Sequence, residues 1–179
     1  MFPLGHLAIG YLCYSLSTRV RSRTPPADGP ALVVLVASLS PDLIDKPLAW
    51  YLGLLPSGRS LGHSALVIVL FSIGLYLLTR PSGHGEYAIA VAIGGLSHSL
   101  LDIAPLLWDP TASEPFLLWP LAAVPIPAVL AASHPPLGGL YFLSEVGFAS
   151  LALVAWRRDG YPGLALVRAG VVRARRPTS

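Results

Sequence analysis

The chain has 179 residues, of which 54% are hydrophobic and only 12% are charged. A soluble domain carries about 25% charged residues, so this composition excludes an ordinary water-soluble fold and is typical of a membrane protein. The net charge of +3 does not indicate a nucleic-acid partner, because the arginines lie between hydrophobic runs and at the C-terminal end. The lone Cys13 excludes an intramolecular disulfide.

Five hydrophobic runs predict membrane-spanning helices, at residues 3–18, 31–55, 62–79, 87–108 and 137–156. Each run is near the roughly 17–25 residues that cross a bilayer core. Segment 109–136 contains seven prolines. Since proline removes a backbone donor and breaks helices, we expect a cap or re-entrant segment there and no sixth span. The prediction is an all-α polytopic membrane helix bundle over residues 1–156, followed by a basic, surface-lying tail over residues 157–179.

Charge sorts the connections between these runs into two groups. One side of the membrane receives the connection with Arg19, Arg21 and Arg23, the connection with Arg80, and the arginine-rich tail. The other side receives the N-terminus, the connection with Arg59, and the proline-rich segment. Because basic connections stay in the cytoplasm, we expect an inner-membrane protein with an external N-terminus and a cytoplasmic tail.

The strongest local signal is the pair His98 and Asp102 in the fourth run. Residues four apart on a helix share one face, with Cβ atoms roughly 5–6 Å apart. This spacing suits two ligands of one metal ion, or a histidine oriented by a carboxylate. Gly94 and Gly95, one turn earlier, would let a neighbouring helix approach closely. The structural alternative is a buried His–Asp hydrogen bond without a metal.

A second signal is the pair Asp42 and Asp45 in the second run. Pro41 lacks a backbone donor and should free carbonyls one turn earlier, and the two carboxylates, three residues apart, share a face. Either carboxylate could bind a metal or act as a base toward a bound water. The alternative is an ion pair at the membrane interface, either Asp45 with Lys46 or Asp42 with Arg59.

Further polar residues fall at the same end of the predicted helices. His63 opens the third run close to Arg59, so the histidine could bind metal and the guanidinium could bind an anionic oxygen; a histidine that caps the helix is the alternative. His6 lies near the N-terminus, and Glu145 interrupts an apolar fifth run. Charged groups in a membrane cost roughly 2.5–3.5 kcal/mol each and usually pair or hold an ion. His84, in the connection on the opposite side, is expected to be solvated, whereas His134, beside Pro135 and Pro136, could lie over the site.

These residues resemble the YdjM-like family of inner-membrane proteins, for which metal-dependent hydrolysis is the expected activity. Two positions depart from the family pattern, since Gly62 replaces a threonine and Lys46 follows a displaced second aspartate. The ligand spacing is also similar to the zinc-dependent phospholipase C and nuclease group, in which such residues hold zinc ions that activate water against a phosphodiester. The matching motifs are Gly5-His6, Pro41-Asp42 with Asp45, Arg59 with His63-Ser64, Ser97-His98 through Asp102, and Leu118-Trp119-Pro120.

The combined prediction is a metal-dependent hydrolase whose site lies in the outer half of the membrane. Histidine-rich ligands without thiolate suit Zn²⁺, although Mn²⁺, Fe²⁺ or Ni²⁺ would also fit. Membrane lipids are the expected partners, and a lipid or a phosphodiester is the expected substrate. The alternative function is a small cation or proton transporter or channel that uses the same cluster. The predicted metal ligands are His6, Asp42, His63, His98 and Asp102, and the predicted catalytic residues are Asp45, Arg59 and Glu145.

Overall fold

The computed structural model describes residues 3–103, 116–121 and 138–174. Across these residues the fold is all-helical, as the sequence predicts, and contains no β-strand. A short 3₁₀ helix, Arg80–Ser82, follows the fourth α-helix. The α-helices in chain order are α1 (Pro3–Ser22), α2 (Asp28–Ala37), α3 (Ser40–Trp50), α4 (Ala65–Thr79), α5 (Gly85–Ile103), α6 (Gly138–Arg158) and α7 (Leu164–Ala174).

The second hydrophobic run does not form the single helix expected over residues 31–55. A turn after Ala37 divides it into α2 and α3. Pro41 lies in the first turn of α3 and has no N–H group. The carbonyl of Ala37 therefore loses its helical partner and accepts a hydrogen bond from the Ser40 hydroxyl at 2.9 Å. The break is a local consequence of the proline, and the chain from Tyr51 to Ser64 then reaches α4 without a regular helix.

Helices α1, α2 and α5 form the centre of the bundle, with α6 packed on α1 and α4 packed on α5. Gly94 of α5 lies very close to α2. A Cβ atom at this position would come within 2.7 Å of the Cβ of Ala37 and within 2.8 Å of the carbonyl oxygen of Val34. The close helix approach expected at this glycine is present. The buried hydrophobic cluster contains Tyr11, Tyr14, Ala31, Val34 and Ala90.

The outer surfaces of the described helices are apolar, whereas several of the largest buried side chains are polar. Leu70, Phe71 and Leu78 of α4 are exposed, but His63 and His98 are completely buried. This distribution is the reverse of that in soluble proteins. Among the described residues, one helix is long and apolar enough to cross a membrane, Ala65–Ser82, with a mean hydropathy of 1.7. The five-span arrangement remains a prediction.

The end of the bundle opposite His6 carries ion pairs between helices. Arg21 of α1 binds Glu86 at the start of α5, with 2.7 Å between Nη1 and Oε1. Arg19 binds Asp159, which directly follows α6. The distance along α1 from His6 to Arg19 is about 20 Å at 1.5 Å per residue. The arginines of α1 therefore lie at one end of the bundle and His6 lies at the other, as the charge pattern of the sequence predicts.

Asp159 is buried at this end, with its side chain only 1% exposed. Its Oδ2 atom accepts hydrogen bonds from the Tyr11 hydroxyl at 2.7 Å and from the Ser15 hydroxyl at 2.6 Å. Burial raises the pKa of Asp159, but the hydrogen bonds from Ser15, Tyr11 and Arg19 outweigh this and hold it below its usual value. The charged carboxylate thus joins α1 to the end of α6.

The described part of the tail contains one helix, α7, which follows α6 after a short turn. The Gly163 N–H group donates to the Asp28 carboxylate at 2.6 Å, so the start of α7 is attached to the start of α2. Arg168 and Arg173 of α7 are exposed. Residues 175–179 and most of the predicted proline-rich cap, 109–115 and 122–136, lie outside the described residues.

Candidate metal centre

Four of the five predicted ligands meet at one end of the bundle. His98 and Asp102 lie near the end of α5, Asp42 lies in the first turn of α3, and His63 lies just before α4. One ligand atom from each residue is within 4.8 Å of the others. Because Asp42 is half-buried and the other three residues are buried, the group is reached from the side of Asp42. We call these four residues the metal cluster.

The distances within the metal cluster suit a single ion. The Nε2 atoms of His63 and His98 are 3.2 Å apart. Oδ1 of Asp42 lies 3.4 and 3.8 Å from these two nitrogens, and Oδ2 of Asp102 lies 3.6 and 3.9 Å from them. Zinc bonds to nitrogen and oxygen are about 2.0–2.2 Å long, so two ligands of one ion are within roughly 4 Å of each other.

The break between α2 and α3 orients His98. Its Nδ1 atom lies 2.7 Å from the backbone carbonyl oxygen of Ser38, in the turn between the two helices. A carbonyl oxygen only accepts hydrogen bonds, so Nδ1 carries the hydrogen and the neutral ring presents its Nε2 lone pair to the cluster. Such a backbone contact is how proteins commonly fix the tautomer of a metal-binding histidine.

Asp45 orients His63 in the same way. Its fully buried carboxylate lies 2.8 Å from Nδ1 of His63, so this nitrogen also carries the hydrogen. The carboxylate accepts further bonds from the backbone N–H groups of Ser60 at 2.7 Å, Gly62 at 2.7 Å and His63 at 3.2 Å. Asp42 therefore faces the cluster, whereas Asp45 lies behind His63. The structure thereby separates two carboxylates that the sequence could not distinguish.

The donor set fits a divalent cation. Two rings that both donate through Nδ1 bring their Nε2 atoms to 3.2 Å from each other, which is repulsive unless a proton or a metal cation lies between them. Oδ1 of Asp42, beside these nitrogens, is buried and has no hydrogen-bond partner among the described residues. Such a group normally costs about 1–3 kcal/mol. Two imidazole nitrogens and two carboxylate oxygens are ligands that zinc and related metals accept.

The electrostatics at His63 also favour a positive charge. Carboxylate oxygens of Asp45, Asp42 and Asp102 lie 2.8, 3.4 and 3.6 Å from its ring nitrogens. Three carboxylates thus surround one imidazole in the segment before α4. Three negative charges this close together also attract a metal cation.

Two basic side chains border the metal cluster. Nζ of Lys46 lies 2.6 Å from Oδ2 of Asp42, and Nε of Arg59 donates to Oδ2 of Asp102 at 2.9 Å. Ion pairs were expected as an alternative to metal binding, but with the partners Asp45 for Lys46 and Asp42 for Arg59. The observed pairs are different, and both cations border the cluster itself.

His6 and Glu145 lie beside the metal cluster. The ring of His6 stacks on His98, with centroids 3.8 Å apart, and its Nε2 atom is 3.4 Å from Oδ1 of Asp102. Glu145 is buried and accepts a hydrogen bond from the Gly5 N–H group at 2.6 Å. A carboxylate here complements the positive start of α1. Of the three predicted catalytic residues, Arg59 donates a hydrogen bond to a ligand oxygen of Asp102 and Asp45 accepts one from the ring of His63, whereas Glu145 holds the start of α1.

The Leu118-Trp119-Pro120 motif covers the side of the cluster near His63. The Ser64 hydroxyl donates to the carbonyl oxygen of Trp119 at 2.8 Å and accepts from the Val67 N–H group at 3.3 Å, so Ser64 caps α4. The buried Phe116 ring contacts His63 edge-on, with centroids 5.5 Å apart. Helix capping is thus the role of Ser64, whereas His63 faces the cluster.

Three parts of the site were not predicted from the sequence: Ser38, Lys46 and Phe116. The free carbonyls expected before Pro41 pointed to the region of Ser38, but not to the histidine that binds it. Lys46 is the only lysine of the chain, and was considered only as an ion-pair partner. His84 is exposed in the connection at the opposite end, and His134 lies outside the described residues.

The comparisons with known proteins identify the family. No curated protein and no solved structure matches this chain. A sequence model described as the YdjM inner membrane protein matches residues 1–172, a range that includes the whole metal cluster. This match covers nearly the entire sequence, and the chain therefore belongs to the YdjM inner membrane protein family.

Proposed function

We propose that the protein is a metal-dependent hydrolase embedded in the inner membrane. The observation that carries the proposal is the buried pair of Nε2 atoms, 3.2 Å apart, on two histidines whose other ring nitrogens both donate hydrogen bonds. Two carboxylates stand beside this pair, and one of their oxygens has no hydrogen-bond partner among the described residues. Membership of the YdjM inner membrane protein family supports the location.

In this proposal His63, His98, Asp102 and Asp42 hold the ion. A divalent metal held there would lower the pKa of a water molecule to roughly 7 and would supply the nucleophile at neutral pH. Asp42 is the most exposed of the four residues, so water and substrate approach from its side. Zn²⁺ suits this thiolate-free set best, and Mn²⁺, Fe²⁺ or Ni²⁺ are the other candidates.

The neighbouring residues hold this arrangement in place. Asp45 orients His63 and increases the basicity of its Nε2 atom. Glu145 fixes the start of α1, which positions His6 against His98 and Asp102. We assign Asp45 and Glu145 as positioning residues, although the sequence suggested a catalytic role for each.

We also propose that five segments span the membrane, with an external N-terminus and a cytoplasmic tail. The metal cluster and the ion pairs of Arg19 and Arg21 lie at opposite ends of α1, which supports this orientation through the preference of arginine for the cytoplasmic side. The site would then face the outer half of the bilayer. Membrane lipids are the expected surroundings.

The proposal is tested on purified full-length protein in detergent. We expect about one divalent metal per chain by elemental analysis, as in other single-metal sites, and metal-dependent hydrolysis of a chromogenic ester. His98→Ala should remove both the metal and the activity while the helical circular dichroism spectrum is retained. His84→Ala is the matched control, because this histidine is exposed at the opposite end, and it should change neither.

Three results would contradict the proposal. One is a parent protein whose metal content equals that of a mock preparation. Another is stoichiometric metal without hydrolysis of any ester tested, together with metal-dependent cation flux in proteoliposomes, which would favour the transporter. Metal that persists in His98→Ala would exclude this cluster as the site.

A further inference from the structure

Lys46 and Arg59 are held beside the metal cluster by its own carboxylates. Lys46 lies 2.6 Å from Oδ2 of Asp42, and Arg59 donates to Oδ2 of Asp102 at 2.9 Å. The two basic side chains are 38% and 35% exposed, so each is partly shielded yet reachable.

The position of Lys46 is defined by two contacts. Besides the bond to Asp42, its ammonium lies 5.8 Å from the centroid of the Trp50 ring, within the range of a cation–π interaction. Gly58 leaves room for this indole, since a Cβ atom there would be only 3.1 Å from Nε1 of Trp50. A lysine on a surface normally samples many rotamers, whereas this one is held at the edge of the cluster.

Metal binding would change the charge balance at these two residues. In the chain alone, Asp42 and Asp102 neutralise Lys46 and Arg59. A divalent cation in the cluster would instead be neutralised by those same two carboxylates, which leaves two positive side chains without full compensation. Asp45 does not alter this balance locally, because its carboxylate already accepts from three backbone N–H groups and faces the ring of His63.

The chemistry that complements this arrangement is a phosphate group. A phosphate monoester carries about −1.5 to −2 charges at pH 7 and offers several acceptor oxygens, whereas a carboxylic ester is neutral. Guanidinium groups bind phosphate oxygens with favourable geometry, and lysine binds them as a point charge. Because Lys46 and Arg59 are each bound to a carboxylate of the same cluster, both would attract a phosphate group placed at that cluster.

The surface next to these cations is apolar. Leu43 in α3 and Trp50 at its end are 64% and 65% exposed, and Tyr51 and Leu54 just beyond are 83% and 70% exposed. Exposed tryptophan and tyrosine are enriched where a membrane protein meets the lipid headgroups. Charged and apolar surfaces thus adjoin at the approach to the metal cluster, as they do in a phospholipid.

We infer that Lys46 and Arg59 bind the phosphate of a lipid phosphate ester, which is the substrate of the proposed hydrolase. This inference rests on the proposed function and narrows its substrate. In the reaction, the oxygen of water bonds to phosphorus and the ester P–O bond breaks. The departing alcohol takes one proton of the water, and the inorganic phosphate keeps the other. Two cations beside the reacting phosphate stabilise the charge that it carries.

Calorimetric titration of inorganic phosphate into full-length protein in detergent tests the inference, with the metal content measured on the same samples. The zinc-loaded parent should bind phosphate, and the metal-free parent should bind it at least tenfold more weakly. Lys46→Gln and Arg59→Gln should each weaken phosphate binding by about tenfold or more in the zinc-loaded protein while they retain stoichiometric zinc. Arg80→Gln, which removes an exposed charge at the opposite end, is the matched control and should bind as the parent does.

The lipid origin of the phosphate is tested by competition in the same assay. Phosphatidylcholine vesicles that contain phosphatidic acid should displace inorganic phosphate from the zinc-loaded protein, whereas vesicles of phosphatidylcholine alone should not. Displacement by glycerol phosphate as effective as that by phosphatidic acid would refute the lipid part of the inference and indicate a soluble phosphate ester.

The failures of the two proposals can be told apart. If the parent holds no metal, the hydrolase proposal is refuted and the substrate inference falls with it. If the protein holds zinc but binds no phosphate, or if Lys46→Gln and Arg59→Gln bind phosphate like the parent, the substrate inference alone is refuted. Loss of zinc from either variant would show that its cation supports the ligands instead of the phosphate, and would also refute it.

Discussion

Replacing Asp45 by asparagine tests how the protein holds His63. The substitution keeps the size of the side chain but converts one carboxylate oxygen into an NH₂ group that cannot accept a hydrogen bond. If the NH₂ group takes the place of Oδ2, it opposes the backbone N–H groups of Ser60 and His63 and the His63 ring. If it takes the place of Oδ1, it opposes only the N–H group of Gly62. We expect the second arrangement.

The magnitude follows from these contacts. One buried N–H group is left facing another donor, which costs about 1–3 kcal/mol of folding stability. The ring of His63 keeps an acceptor but loses the negative charge behind it, so its Nε2 atom becomes a weaker ligand. Removal of such a supporting carboxylate typically lowers metal affinity by about 10–100-fold. We therefore expect Asp45→Asn to be folded, less stable and weaker in metal binding.

The assay is competition for Zn²⁺ with a chromophoric chelator, run beside thermal unfolding followed by circular dichroism. Asp28→Asn is the matched control, because the Asp28 carboxylate also accepts a backbone N–H bond, from Gly163 at 2.6 Å, but far from the metal cluster. It should lose stability and keep its metal affinity. An Asp45→Asn protein with the metal affinity of the parent would refute the assignment of Asp45 as the support of His63.

Three other outcomes follow from the fold. In a Cys13→Ser background, cysteines placed at Gly58 and Arg173 should react with impermeant reagents from opposite sides of the membrane; labelling from one side would contradict the proposed orientation. The pKa of Asp159 is depressed in the folded protein, so the stabilising effect of its carboxylate is complete above the usual pKa near 3.8 and is lost as the pH falls through the lower folded value. In Asp159→Asn the unfolding temperature should therefore depend less on pH in acid, and an unchanged dependence would contradict this. Gly94→Ala forces a Cβ atom to within 2.7 Å of its neighbour on α2, so we expect about 1–3 kcal/mol of destabilisation, measured as a lower unfolding temperature.

From the sequence, it could be predicted that the site residues lie close together, but not what each of them does. His98 and Asp102 share a helix face by simple periodicity, and the charge pattern placed His63 and Asp42 at the same end of the bundle. Which residues share a helix face depends only on their spacing, and the charge of each connection is a sum over its residues. Both can therefore be predicted without a structure. The four residues accordingly form one cluster in the folded chain.

The roles of Asp42 and Asp45 could not be separated from the sequence. Both lie on one face of α3, and the difference arises because residues 60–63 return to that face and donate three backbone N–H groups to Asp45. The path of this irregular segment depends on tertiary packing. The break at Ser38 had a visible cause in Pro41, but its use as a support for His98 depends on how α5 lies against α2.

The hydrogen bond between Gly5 and Glu145 joins positions 140 residues apart in the chain. During synthesis α1 is made first, whereas the carboxylate that holds its start belongs to the last long helix, α6. His6, one residue after Gly5, consequently reaches its support only after α6 has been synthesised. Truncated products that lack α6 would retain all four residues of the metal cluster but not this anchor. The support of His6 therefore depends on the packing of α6 on α1.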